Sequence, residues 1–216
     1  MVRLKLLITG ISGLLGKALY YEFKNLYDVY GTYNTVKPEI ENNKVFMINI
    51  LKDGLEDLID YLKPNIIIHT IALTDLEFCE KDKELSYKIN VNETEKVVKL
   101  AKKYNIKFVY ISTDYVFNGE KGNYKEEDKP DPINYYGFTK LKGEEISLDY
   151  NKSLVIRTTF YGFNPKGRKP GIEKILSMIK NDQKILASSE TFNSIISVNN
   201  LSKIILFLVD NDIYGI

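Results

Sequence analysis

Thr9-Gly10-Ile11-Ser12-Gly13-Leu14-Leu15-Gly16 follows directly on the apolar run from Leu4 and leads into Leu14 to Asn25, where apolar residues recur at helical spacing. A glycine-rich turn between a buried strand and a helix is a context in which backbone N–H groups and a helix N-terminus can hold a diphosphate. Gly10 suits the tight turn, Gly13 lets the backbone approach the anion, and Gly16 lets the helix close on the sheet. Ser12, Leu14 and Leu15 complete the candidate cradle. An ordinary strand-to-helix turn remains the alternative until other motifs are found in register with it.

Short apolar runs recur downstream. Asp28 to Thr32, Val45 to Ile48, Ile66 to Thr70, Phe108 to Ser112 and Leu154 to Arg157 read as strands rich in Ile, Val, Leu or Tyr. Leu51 to Leu62, Glu84 to Tyr104 and Tyr136 to Leu148 read as crossover helices, the first stopped by Pro64. Strands alternating with helices predict an α/β fold, a doubly wound Rossmann-type parallel sheet in a single domain over 1–216. Residues 1–157 would form the dinucleotide-binding core. Beyond Arg157 the pattern loosens: a loop through Gly171, a helix to about Lys180, short strands near Ile185 and Ile195, and a helix from Asn199 to Val209. Residues 158–216 therefore read as a small, partial substrate lobe.

Composition narrows the partners. Lys and Arg number 30 against 29 acidic residues, with the signs interspersed, so no footprint for nucleic acid or anionic lipid is visible. No uncharged apolar stretch approaches the roughly 20 residues of a membrane helix. A lone Cys79 and an N-terminus without a signal-peptide pattern lead to the expectation of a reducing, cytoplasmic setting. No metal-ligand spacing is present. Cys79 reads as an inert thiol and His69, ending a strand, as a satisfied core side chain.

Cofactor choice is normally written after the second strand, where an acid would hold the 2′-hydroxyl of NAD. Here the chain runs Thr32-Tyr33-Asn34-Thr35-Val36-Lys37 without one, so Thr32 and Asn34 are candidate ribose neighbours. NADP(H) is favoured over NAD(H).

Tyr136-Gly137-Phe138-Thr139-Lys140 sets a phenol and an ammonium at i and i+4, on one face of a helix. A cation beside a tyrosine favours the phenolate and is expected to bring its pKa down from about 10. Tyr136 could then exchange a proton with a carbonyl oxygen while Lys140 reaches a ribose. Thr113, at the end of the fifth strand, is the candidate hydroxyl donor to the same oxygen.

With these segments in order, the chain resembles the extended short-chain dehydrogenases/reductases, and within them the dTDP-4-dehydrorhamnose reductase family. The resemblance lies in Thr9 to Gly16, Ser112-Thr113-Asp114-Tyr115-Val116-Phe117, and Tyr136 to Lys140 followed by Gly143-Glu144. It implies a Thr113, Tyr136, Lys140 catalytic trio, Asp114 and Tyr115 bordering the sugar, and reduction of a 4-keto-6-deoxysugar on a nucleoside diphosphate. It further implies Ala72, Leu73 and Thr74 along the cofactor, a matching helix asparagine at Asn90, and Asn49 with Ile50 near the adenine, where relatives commonly carry Asp. Relatives continue beyond the point matching Tyr214-Gly215-Ile216, so a shortened substrate lobe is expected. A homodimer is compatible with the resemblance. Two rivals stay open: a nucleotide-sugar epimerase or dehydratase of the same superfamily, and a non-catalytic regulatory subunit like that of methionine adenosyltransferase.

Overall fold

A computed structural model describes residues 3–52, 54–163, 171–186 and 193–216. Six parallel strands form the main sheet: β1 (Lys5–Thr9), β2 (Asp28–Tyr33), β3 (Val45–Met47), β4 (Ile66–His69), β5 (Lys107–Ile111) and β6 (Ser153–Ile156), in the spatial order β3-β2-β1-β4-β5-β6. Strand order reverses at β1, which pairs in parallel with β2 on one side and β4 on the other. The carboxyl ends of the six strands lie along one rim, and a reversal of strand order is where sheets of this kind bind ligands.

Each strand alternates its side chains between two cores. Leu6, Ile8, Val109 and Ile111 face α1 (Leu14–Phe23) with Leu15, Leu19 and Phe23. Leu7, Ile67, Phe108 and Tyr110 face the opposite layer. That layer comprises α2 (Leu55–Leu62), α3 (Leu76–Lys81), α4 (Lys83–Tyr87), α5 (Glu93–Lys103) and α6 (Tyr135–Leu148). Both faces are covered, which is why these strands read as nearly unbroken apolar runs.

The helix expected over Glu84 to Tyr104 is one rod with an irregularity. A π-helical turn over Lys88–Asn92 joins α4 to α5 and places Asn90 in the interior. A local i→i+5 turn inserts an extra residue, so a uniform 3.6-residue period does not reveal it. The helix expected from Leu51 begins instead at Leu55, because Gly54 (φ 120°) breaks the approach.

The stretch expected as a substrate lobe is divided between two places. β7 (Thr159–Tyr161) and β8 (Ile195–Ser197) pair as a separate parallel ribbon. α7 (Gly171–Lys180) ends where Asp182 (φ 49°) caps it, with Gln183 N–H bonded back to the Met178 carbonyl. That wrapped C-terminus leaves 183–186 without strand structure, so no strand forms at Ile185, and 187–192 lie outside the described residues. α8 (Val198–Asp210) lies against α1, with Leu201, Ile205 and Val209 in the main core. Gly215 then bonds along the outer edge of β6, through Val155 N–H to its carbonyl and its own N–H to Ser153. Lys107 ties this tail down by donating to the Val209 carbonyl at 3.0 Å, at the negative end of α8.

Candidate functional site

Apart from Tyr136 and Lys140, which stand on α6, the candidate segments lie at or just past the carboxyl ends of strands, on the rim where the strand order reverses. The glycine turn is built by sterics. Gly10 has φ 80°, a left-handed conformation, and its N–H and that of Ile11 both donate to the Thr32 carbonyl. A Cβ at Gly16 would lie 2.4 Å from the Gly10 carbonyl oxygen and 2.7 Å from Ile11 Cα, so α1 can come this close only with glycine there. The first intrahelical bond is Lys17 N–H to Gly13 O. The N–H groups of Leu14, Leu15 and Gly16 thus point out of the helix start, where no acidic side chain stands in the first turn. This donor set fits an anion such as a diphosphate.

Thr32 is buried and its hydroxyl accepts from Gly10 N–H at 3.3 Å, so its side chain shapes the turn itself. Asn34 lies exposed just beyond β2, next to exposed Lys37. Asn49 is engaged locally, its side-chain oxygen accepting from Leu51 N–H at 3.0 Å, with Ile50 half-buried inside that turn. Past β4, Ala72 is half-buried and Thr74 exposed. Between them Leu73 is clamped: Asn90 Oδ1 accepts from its N–H at 2.7 Å and Asn90 Nδ2 donates to its carbonyl at 3.0 Å. The same Nδ2 reaches Thr139 Oγ1 on α6 at 3.0 Å, so one buried amide joins the β4 loop to the helix of Tyr136 and Lys140.

Thr113, two residues past the end of β5, caps a 3₁₀ turn over Asp114–Val116, accepting from Tyr115 N–H at 3.2 Å. Its hydroxyl donates to Asp114 Oδ1 at 3.1 Å, and the Thr159 hydroxyl donates to the same oxygen. α6 starts at Asn134, whose side chain accepts from Gly137 N–H at 2.8 Å, a cap that sets the rotation of the helix. Tyr136 thereby sits beside Thr113 with the Tyr115 ring edge-on at 6.0 Å.

Electrostatics around this pair depart from expectation. Burial pushes the Tyr136 phenol up to about 12, opposed by its hydrogen bond with Thr113 and reinforced by the Asp114 charge. The expected depression by Lys140 is absent, because the Lys140 ammonium is turned toward β5 and donates to the Ile111 carbonyl at 2.7 Å. Burial presses Lys140 itself down to about 7, with the Glu144 carboxylate opposing. His69 is a core side chain between Thr9 Oγ1 at 2.7 Å and Thr94 Oγ1 at 3.4 Å, held neutral because burial lowers it to about 3. Cys79 is buried, its thiol pushed up by burial.

Five residues given no role on the sequence make contacts around the candidate site: Thr139, Thr159, Tyr110, and the pair Glu144 with Arg157. Glu144 lies two turns after Tyr136 on the same helix face. A carboxylate on a buried face was the available signal for a cationic partner.

A family model described as the RmlD substrate binding domain matches residues 4–214. This chain belongs to that family. Other members share its architecture closely. A hypothetical dTDP-4-dehydrorhamnose reductase from Sulfolobus tokodaii superposes with a TM-score of 0.89 at 36% identity, covering 98% of this chain and 74% of that one. The dTDP-4-dehydrorhamnose reductase of Bacillus anthracis, solved in complex with NADP, gives 0.86 at 30% identity over 100% of this chain and 73% of that one. Methionine adenosyltransferase 2 subunit beta of Xenopus laevis is 38% identical over 153 residues, 69% of this chain and 44% of that protein. This RmlD-family chain thus spans under half the length of that curated relative. Among its described residues no helix is long and apolar enough to cross a membrane.

Proposed function

We propose that this chain reduces a 4-keto-6-deoxysugar carried on a nucleoside diphosphate, using NADP(H) or NAD(H), with Thr113, Tyr136 and Lys140 as its catalytic residues. The observation that carries the reading is the meeting of a protonated, buried Tyr136 with Thr113 on the rim that also bears the outward N–H groups of α1.

Gly10, Ser12, Gly13, Leu14, Leu15 and Gly16 would hold the cofactor diphosphate, with Ala72, Thr74, Asn49 and Ile50 along its length. Asn34 and Lys37, and the lack of a carboxylate after β2, favour the 2′-phosphate of NADP(H). A bound nicotinamide would supply the hydride. Tyr136 gives its proton to the carbonyl oxygen, a role suited to a group that burial keeps as phenol at neutral pH. Thr113 would orient that oxygen through its hydroxyl, and Lys140, whose buried ammonium gives one N–H to the Ile111 carbonyl, would hold the ribose with another. Asp114 and Tyr115 border the sugar. The carbonyl π bond would be replaced by one C–H and one O–H bond, the hydride donor would leave oxidised, and the Tyr136 phenolate would regain its proton from solvent.

Tyr136→Phe tests the assignment. Turnover of NADPH with a dTDP-linked keto-sugar should fall about 10²- to 10⁴-fold, while NADPH binding stays within about twofold because the ring is retained. Undiminished turnover would remove Tyr136 from the chemistry.

The 38% identity to an adenosyltransferase beta subunit favours a second reading, a regulatory subunit. It predicts tight binding to a synthetase partner and no stoichiometric oxidation of NADPH by any nucleotide-linked keto-sugar.

A further inference from the structure

Tyr110 is wholly buried on the side of β5 that faces α6. The Lys140 ammonium stands 4.0 Å from the centre of its ring. Beside the phenol lies the His69 imidazole of β4, nearly parallel at 15° with centroids 6.3 Å apart. Above it comes Gly143, where a Cβ would lie 2.1 Å from the Tyr110 hydroxyl oxygen. The glycine lets α6 descend until Lys140 meets the ring.

We propose that Tyr110 is a positioning residue for Lys140, its ring face carrying the ammonium at the end of β5 and sustaining its charge where water is excluded. The functional readout rests on the role given to Lys140 above; the stack itself does not.

Each other group around the ammonium is already committed. On β5, the Ile111 carbonyl accepts one of its N–H groups. On α6, the Glu144 carboxylate is one turn away, yet both its oxygens accept from Arg157. Tyr136, also on α6, is a neutral phenol, and His69 on β4 is a neutral imidazole. Besides the Ile111 carbonyl and the more distant Glu144 charge, the Tyr110 π-face is the electron-rich surface that the described residues set directly against the cation, and such contacts strengthen when desolvated. Because burial has already brought Lys140 down to about 7, losing the face would discharge it at neutral pH.

Tyr110→Phe keeps the face and Tyr110→Leu removes it. Turnover of NADPH with the keto-sugar is measured against pH in both. Lys140 must be charged to act, so activity falls as pH rises through its pKa. In the Leu variant the alkaline limb of kcat/KM should move down by about one pH unit, while the Phe variant keeps the wild-type limb. A limb unmoved in the Leu variant overturns the proposal. A second measurement stands whether or not the Leu variant folds and whether or not the chain is a reductase. In ¹³C-lysine-labelled wild-type protein, one set of ε-methylene protons, assigned by its loss in Lys140→Met, should be shifted upfield by the ring and remain so in Tyr110→Phe. An unshifted signal overturns the stack. Upfield protons without any wild-type turnover would leave the stack standing and refute the reductase reading alone.

Discussion

Arg157 and Glu144 form a two-pronged ion pair: Arg157 Nε donates to both carboxylate oxygens at 3.1 Å and Nη2 donates to Oε2 at 2.8 Å, with Glu144 1% exposed. The guanidinium also donates to the Glu126 carbonyl at 3.2 Å and lies 5.0 Å from the Phe117 ring centre. Phe117 in turn stacks on Tyr124 at 4.2 Å. One cation therefore joins the end of β6, the face of α6 that carries Lys140 and Glu144, and the long loop over 118–132.

Breaking this pair should be costly, since the surviving charge would stay buried. Arg157→Gln is expected to lose about 3–5 kcal/mol of stability, read from urea unfolding. Arg157→Lys keeps the charge without the fork, so it should hold α6 better than the loop. Trypsin should then cut that variant faster than wild type at the exposed Lys121 and Lys125. Equal cleavage rates would show that the loop does not depend on Arg157.

His69 gives an acid-side prediction. Its folded pKa, pressed to about 3 by burial and then by the Lys140 charge, lies below the unfolded value of about 6.5. Between these values the unfolded chain binds the extra proton, so stability falls as pH drops from about 6.5 toward 3. His69→Gln keeps a hydrogen-bonding group and cannot titrate. The difference in unfolding free energy between wild type and variant should narrow by a few kcal/mol across that window. A constant difference would mean that His69 is not buried as described.

The sheet was legible in the sequence because doubly covered strands are continuous apolar runs, and each of the six was found within two residues at either end. The turn at Gly10 to Gly16 was legible for a related reason: its glycines are steric requirements, and sterics leave a residue-type signature. What escaped depends on tertiary context. The π-turn at Lys88–Asn92 adds a residue inside a periodic segment. The Tyr136 pKa is set by burial, and the direction in which Lys140 points cannot be read from an i, i+4 spacing. The place of α8 against α1, instead of in an outer lobe, follows from which apolar face meets which, and its own pattern of buried residues is the same in either case.

Gly16→Ala separates fold from ligand binding. The added methyl would meet backbone atoms of Gly10 and Ile11, which cannot swing aside as a side chain can. α1 must therefore lift from the turn, at a cost of about 1–3 kcal/mol, and the N–H groups of Leu14 and Leu15 move with it. Wild type should gain melting temperature with NADPH, since a ligand that binds only the native state stabilises it. The variant should fold yet show no such gain. An undiminished NADPH shift would place the diphosphate elsewhere.

Lys140→Met should stabilise the protein while disabling it. The folded pKa of Lys140, near 7 through burial, lies below the unfolded value of about 10.5. Between these values the unfolded chain holds the proton that the native one has lost, so this residue makes stability rise with pH across that range. Below about 7 both states are charged, and the desolvation cost of the native ammonium is present in full. Methionine fills similar volume without a charge to desolvate. The variant should therefore exceed wild type by a few kcal/mol at pH 6, and the advantage should shrink toward pH 10 as the wild-type lysine becomes neutral. Reductase turnover should be lost at every pH. A variant less stable than wild type at pH 6 would mean that the Tyr110 face and the Ile111 carbonyl more than offset the cost of burying the ammonium.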